Sequence, residues 1–236
     1  MSPTINVYPT GEEVAQVFAK FLADFINKGR CNIALSGGST PKRLFQILAE
    51  SYNQSINWSN VHFYWGDERC VPPGDSESNY LMTSKNLFDH ISIPSENIHR
   101  VLGENDPAGE AIRYGQEIEK NLRHQNGIPQ FDLIILGMGD DGHTASIFPH
   151  EMRLLTDPNT CVTATHPTSG QIRVSLSGSV INNASTVVFL VTGEKKKEKV
   201  DTILNDQHDA EIYPAFYIRP NQGKLIWMLD QTAKPI

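Results

Sequence analysis

The chain is predicted to fold as an α/β protein with a mainly parallel sheet covered by helices on both faces. Three observations predict this. Short apolar runs alternate with segments of helical rhythm along the chain, the order that strand–helix–strand crossovers produce. Several of these runs break directly into glycine-rich turns, as 131–136 does into Gly137, Gly139 and Gly142. Finally, no repeat or linker interrupts the pattern, so residues 1–236 are expected to form one domain.

In chain order, 11–28 carries Val14, Val17, Phe18, Phe21, Leu22, Phe25 and Ile26, the i, i+3, i+4, i+7 spacing of a helix with one buried face. Gly29 ends it. A short buried strand is expected at 31–35, then a Ser-Gly-Gly-Ser-Thr turn with Thr40 as N-cap and Pro41 as first helical residue. Residues 42–50 continue that helix, with Leu44, Phe45 and Leu48 inward. A strand at 61–65 leads into the charged loop 66–73, followed by a helix at 77–88 and a strand at 98–102. The helix at 107–124 is expected to turn Ala111, Ile112, Gly115, Ile118 and Leu122 inward. Strands follow at 131–136, 161–165, 173–177 and the β-branched 185–191, and 225–229 is expected to close the sheet.

Composition narrows the class of function. The chain is 39% hydrophobic and 20% charged with a net charge of −7, which argues against a broad basic surface for nucleic acid. A few convergent cations can still make a local anion pocket. Cys31, Cys70 and Cys161 show no Cys-x-x-Cys spacing, so neither a disulfide framework nor structural zinc is expected, and a reducing compartment fits. The first residues lack a cationic start followed by an apolar core. Nowhere do about 18 apolar residues run together. A cytoplasmic protein without membrane contact is expected.

Three loops after strands carry the chemistry, and ligands of open α/β sheets bind at the carboxyl ends of strands. Gly37, Gly38, Ser39 and Thr40 precede a helix, where free N–H groups and the helix dipole suit a phosphate. A plain tight turn has the same sequence requirement. The spacing of an ATP-binding Gly-x-x-x-x-Gly-Lys loop is absent. In the second loop, Asp67, Glu68 and Arg69 follow a strand; the arginine could fork onto a carboxylate, phosphate or oxyanion, or form a local ion pair in solvent.

The third loop, Gly137-Met138-Gly139-Asp140-Asp141-Gly142, spells a dinucleotide fingerprint. Two aspartates would lie where a pyrophosphate must sit, so that reading is rejected. His143 follows immediately, and an imidazole, titrating near 6.5 when free, suits proton abstraction from water. A structural hydrogen-bonding role is the plain alternative. Asp141 could orient the ring, and so could Asp67. No two histidines share a metal-ligand spacing; His62, His150 and His166 are read as structural or exposed. Arg173 opens an alternating strand. Lys195, Lys196 and Lys197 stand at a helix start, where cations are unfavourable unless one answers to an anion.

With these residues in hand, the chain resembles the 6-phosphogluconolactonases of the glucosamine-6-phosphate isomerase/6-phosphogluconolactonase family. The resemblance lies in LSGGSTPKRLF at 35–45, WGDERCVPPGDSESNY at 65–80 and FDLIILGMGDDGHTASIFP at 131–149, with weaker matches at 173–177 and 191–196. It implies a glucosamine-6-phosphate isomerase-like fold and one lactonase domain. It also implies hydrolysis of 6-phospho-D-glucono-1,5-lactone to 6-phosphogluconate in the pentose phosphate pathway, without metal or organic cofactor. The family's general base falls on His143, its active-site arginines on Arg69 and Arg173, its phosphate loop on Gly37, Gly38, Ser39 and Thr40, and its Gly-x-x-Lys lysine on Lys196. The run at 173–177 reads RVSLS, with serines where the family more often has threonines.

That chemistry needs His143 to activate water against C1, and Arg69 or backbone N–H groups to steady the oxyanion. Asp67 or Asp141 would set the imidazole's tautomer. Two alternatives are an amino-sugar phosphate isomerase/deaminase, which needs a carboxylate base, and a non-catalytic sugar-phosphate-sensing domain. The Asp67-Glu68-Arg69 loop and the His143 segment are lactonase-like, and no basic helix-turn-helix is present.

Overall fold

Five of the six strands of the central sheet are mainly apolar runs whose side chains alternate between two cores, one on either face of the sheet. The computed structural model describes residues 2–205 and 208–235. In chain order the strands are β1 (Thr4–Tyr8), β2 (Cys31–Leu35), β3 (Val61–Trp65), β4 (Asp67–Arg69), β5 (His124–Gln125), β6 (Ile128–Pro129), β7 (Leu133–Leu136), β8 (Cys161–Thr165), β9 (Ile172–Leu176), β10 (Thr186–Val191) and β11 (Lys224–Asp230). The helices are α1 (Gly11–Ile26), α2 (Ser39–Ser51), α3 (Asn79–Asn86), α4 (Pro107–Asn121), α5 (Gly178–Ile181) and α6 (Lys197–Leu204).

Six strands pair in the order β1-β11-β10-β7-β2-β3, every neighbour parallel. Because side chains alternate with period two, Leu133 and Ile135 of β7 join the core with Phe18, Phe45 and Trp58. Ile134 and Leu136 join the opposite core with Tyr114, Phe189 and Trp227. α1 and α2 cover the first face; α4, α5 and α6 contribute to the second. Burial on both faces explains why β7 and β10 are apolar without interruption. The expected mainly parallel sheet between helical layers is therefore observed.

The order of strands creates the site. From β2 the chain steps outward to β3, then returns to β7 on the other side of β2. The loops leaving β2 and β7 thus part company at a topological switch point, where crevices form in such sheets. Past β3, Gly66 donates its N–H to Leu35 O at 2.8 Å and accepts from Leu176 N–H at 2.8 Å. That turn carries the chain into β4, the first strand of a second, antiparallel sheet β4-β9-β8.

Several expectations are corrected. β1 was not expected; it is short, polar-flanked and half-exposed, and it becomes a strand by pairing with β11. Consequently 225–229 does not close the sheet but lies inside it, between β10 and β1. The expected strand at 98–102 is reduced to a bridge between Ile98 and Phe63. α2 begins at Ser39 with Gly38 as N-cap at φ 105, so Thr40 caps nothing; its hydroxyl meets Thr192 Oγ1 at 2.9 Å. Ile112 is 64% exposed, because the buried stripe of α4 runs instead through Ala111, Tyr114, Gly115 and Ile118.

Candidate active site

The turn after β7 is built to hold one imidazole. Gly139 N–H bonds His143 O at 2.9 Å and Gly142 N–H bonds Gly139 O at 3.1 Å, closing a tight loop. A side chain at Gly139 would strike the His143 ring and the Asp141 carboxylate. Gly142 takes φ 79 and lies against the Tyr213 ring. Only glycine tolerates both demands there. Thr144 Oγ1 bonds Gly137 O at 2.9 Å and pins the far side of the turn.

Within this turn Asp141 Oδ1 lies 2.5 Å from His143 Nδ1 and also accepts His143 N–H at 3.1 Å. Burial pushes the Asp141 carboxyl up, but its bonds with His143 outweigh that and hold it at about 2. An ionised carboxylate can only accept, so Nδ1 carries the proton, and the neutral form of the ring keeps its lone pair on Nε2. Asp141, not Asp67, is thus the carboxylate on the imidazole. Phe148 packs beside the ring, centroids 4.7 Å apart.

Asp67 has other partners. Its buried carboxylate accepts from Ser146 Oγ at 2.7 Å, and Arg173 Nη1 stands 4.0 Å from the same oxygen. The antiparallel register of β4 and β9 places Arg69 directly opposite Arg173. The Nε of each guanidinium is buried with no hydrogen-bond partner. Burial first, with Arg69 adding to it and Asp67 opposing, pulls Arg173 below its ordinary value. Two like charges side by side with unmet donors form a place for an anion. Arg173 also lies over the Phe148 ring at 5.7 Å, the same ring that packs beside His143.

Glu68 holds the frame behind them. Its buried carboxylate accepts the N–H groups of Arg69, Asn79 and Tyr80 at 2.7–2.8 Å and the Ser78 hydroxyl at 3.1 Å. Burial raises its pKa against those donors. This ties α3 to β4 and presses the Asn79 carboxamide against Gly37, where a side chain would not fit. Asn79 Nδ2 then donates to Asp67 O at 2.9 Å.

Some of these groups line a cleft of about 180 Å³ at the switch point. Of the residues expected from sequence, Gly37, Gly38, Asp67, Arg69, His143 and Arg173 line it. Ser39 and Thr40 start α2 beside it. Asp141 stands behind the imidazole. Lys196 does not line the cleft; it is ion-paired with Asp140 of the β7 turn. That pair lowers the Asp140 carboxyl's pKa and accounts for the aspartate that spoiled the dinucleotide reading. Sequence reasoning missed Asn79, Met138 and Ala145. Asn79 lay in the quoted 65–80 segment, but nothing local marks it as reaching Gly37. A larger hollow of about 460 Å³, between α4 and β8, contains none of the expected site residues.

Comparison with known proteins shows the family to which the chain belongs. The family model for glucosamine-6-phosphate isomerases/6-phosphogluconolactonase matches residues 10–227. A 6-phosphogluconolactonase of Haemophilus influenzae is 46% identical over 231 residues, covering 96% of each chain. A crystal structure of a protein named devB is 44% identical and superposes with a TM-score of 0.93, covering 98% of this chain and 97% of its own. The structure of a 6-phosphogluconolactonase from Trypanosoma cruzi is 30% identical, with a TM-score of 0.87 over 99% of this chain and 97% of its own. The fold implied by the resemblance is the fold these relatives share.

Proposed function

Because the chain belongs to the glucosamine-6-phosphate isomerase/6-phosphogluconolactonase family, we propose that it hydrolyses 6-phospho-D-glucono-1,5-lactone to 6-phosphogluconate with His143 as general base. The observation that carries the mechanism is the Asp141–His143 pair facing two arginines with unmet donors. Asp141 fixes the tautomer, and His143 Nε2 removes a proton from the water that attacks C1. The N–H groups of Gly139 and Gly142 are already bonded within their turn, and the oxyanion is assigned to Arg69, which lines the same cleft as His143. As the tetrahedral intermediate collapses, the ring oxygen leaves and takes the proton back from His143. A lactone is an activated ester, so one base and one cation suffice.

The phosphate lies remote from C1 and supplies orientation. It is held at the α2 N-terminus by the turn of Gly37, Gly38, Ser39 and Thr40, with Arg173 and Lys196 supplying charge. Lys196 exchanges Asp140 for the phosphate. Arg173→Ala or Lys196→Ala is therefore expected to raise KM for the lactone about tenfold or more, with kcat within a fewfold. A large fall in kcat at unchanged KM would reassign the residue concerned.

The direct test is continuous acid release from freshly prepared 6-phosphogluconolactone, run beside ammonia release from glucosamine 6-phosphate. Acid release without ammonia is expected. Ammonia release would favour the isomerase/deaminase alternative, with the buried Asp67 as its base; binding without turnover would favour the sensing domain. Residues 1–236 are read as one lactonase domain, since both cores share one sheet. Among the described residues no helix is long and apolar enough to cross a membrane. Cytoplasmic residence rests on the three dispersed cysteines, whose thiols are free and raised in pKa by burial.

A further inference from the structure

Ser146 lies three residues past His143 and is fully buried. Its hydroxyl donates to Asp67 Oδ2 at 2.7 Å. Its backbone N–H donates to Ser175 Oγ at 3.2 Å, and that hydroxyl donates to Leu176 O at 3.0 Å. Asp67 and Ser175 are register partners in β4 and β9. One residue of the β7 loop is thus fastened to both strands that carry the arginines.

The chain between His143 and this fastening is not relaxed. Ala145 takes φ 47, a left-handed conformation that residues with a Cβ rarely adopt. Such a conformation persists where surroundings over-determine it, here through Thr144 on one side and Ser146 on the other. The same Asp67 oxygen that accepts from Ser146 stands 4.0 Å from Arg173 Nη1, at the outer limit of an ion pair. Arg173 Nε is left without a partner. A buried carboxylate so close to a guanidinium would ordinarily close on it as a bidentate pair.

We infer that Ser146 is a positioning residue that holds the Asp67 carboxylate back from Arg173, keeping that guanidinium free for the substrate's anionic group. The inference rests on the lactonase reading, in which Arg173 meets the phosphate. Without the hydroxyl, Asp67 loses its donor and compensates by neutralising Arg173. The cost then appears in binding the phosphorylated substrate, not in the proton transfer at His143.

The test is a double-mutant cycle of Ser146→Ala with Asp67→Asn, assayed as acid release from 6-phosphogluconolactone. Ser146→Ala alone is expected to raise KM roughly tenfold or more, with kcat within threefold of wild type. In the Asp67→Asn background the same change should leave KM within twofold, because a carboxamide cannot neutralise Arg173. A role confined to loop shape would instead lower kcat, and the loss would persist in the Asp67→Asn background; either result overturns the inference. Should the alanine variant fail to fold, Ser146→Cys, nearly isosteric and a poor donor, carries the same cycle. A wild-type chain with no lactone turnover overturns the lactonase reading and this inference together. Full wild-type turnover with an additive cycle overturns the inference alone.

Discussion

Replacing His143 by alanine is expected to lower kcat on 6-phosphogluconolactone by about 10²- to 10⁴-fold, the scale of lost general-base assistance. KM should stay near its wild-type value, since the groups assigned to the phosphate lie on α2, β9 and the turn before α6. The fold should survive. The imidazole is about a quarter exposed, and the Asp141 carboxylate it leaves behind is 41% exposed and can turn to water, so no buried charge is orphaned. Far-UV circular dichroism and the melting temperature check this second half. Turnover within a fewfold of wild type would remove His143 from the mechanism, whatever the reaction.

Asp141→Asn is expected to cost nearly as much, on the order of 10²–10⁴ in kcat, because it attacks the tautomer rather than the base. A carboxamide can donate to Nδ1, which leaves the proton on Nε2 and the ring unable to accept one from water. The two residues act as a unit, so the Asp141→Asn/His143→Ala double variant should be no slower than His143→Ala alone.

The pH dependence follows with a definite sign. The folded-state pKa of Asp141 is depressed to about 2, with burial opposing and His143 bonding prevailing. Its unfolded value is about 3.9. The stabilisation it contributes is therefore full above about pH 4 and is lost as pH falls through about 2. Between pH 5 and 9 the ratio of wild-type to Asp141→Asn rates should be independent of any titration of Asp141. Thermal unfolding of both proteins from pH 7 down to 2 measures the effect: the wild type's advantage in stability over Asp141→Asn should shrink as pH falls below about 4, and an advantage constant over that range would show that Asp141 is not held ionised.

How much of this was legible in the sequence depends on the distance over which each feature is decided. β7 and β10 announce themselves because strands buried on both faces are apolar throughout. β1 does not, because an edge strand with half-exposed side chains has no apolar periodicity to read. The opposite error arises at 98–102, which reads as a strand because its apolar residues serve the core, although they do not continue the ladder. Gly38 displaced Thr40 as the cap of α2 because its positive φ starts the helix two residues earlier, which no capping preference foretells. At the site, Asp141 and Asp67 were equal candidates for the imidazole. Asp141 is two residues from His143, whereas Asp67 is committed to Ser146, 79 residues away along the chain.

The sequence by itself therefore determined the alternation that makes an α/β sheet, the glycine turn that must present His143, and the family to which its motifs point. Each follows from residues near one another along the chain, where backbone sterics and periodicity act. The tertiary structure alone decided that Arg69 stands opposite Arg173, that Lys196 is paired with Asp140, and that Ser146 restrains Asp67. Those are contacts between distant segments, set by strand register and the packing of two sheets, and no local propensity encodes them.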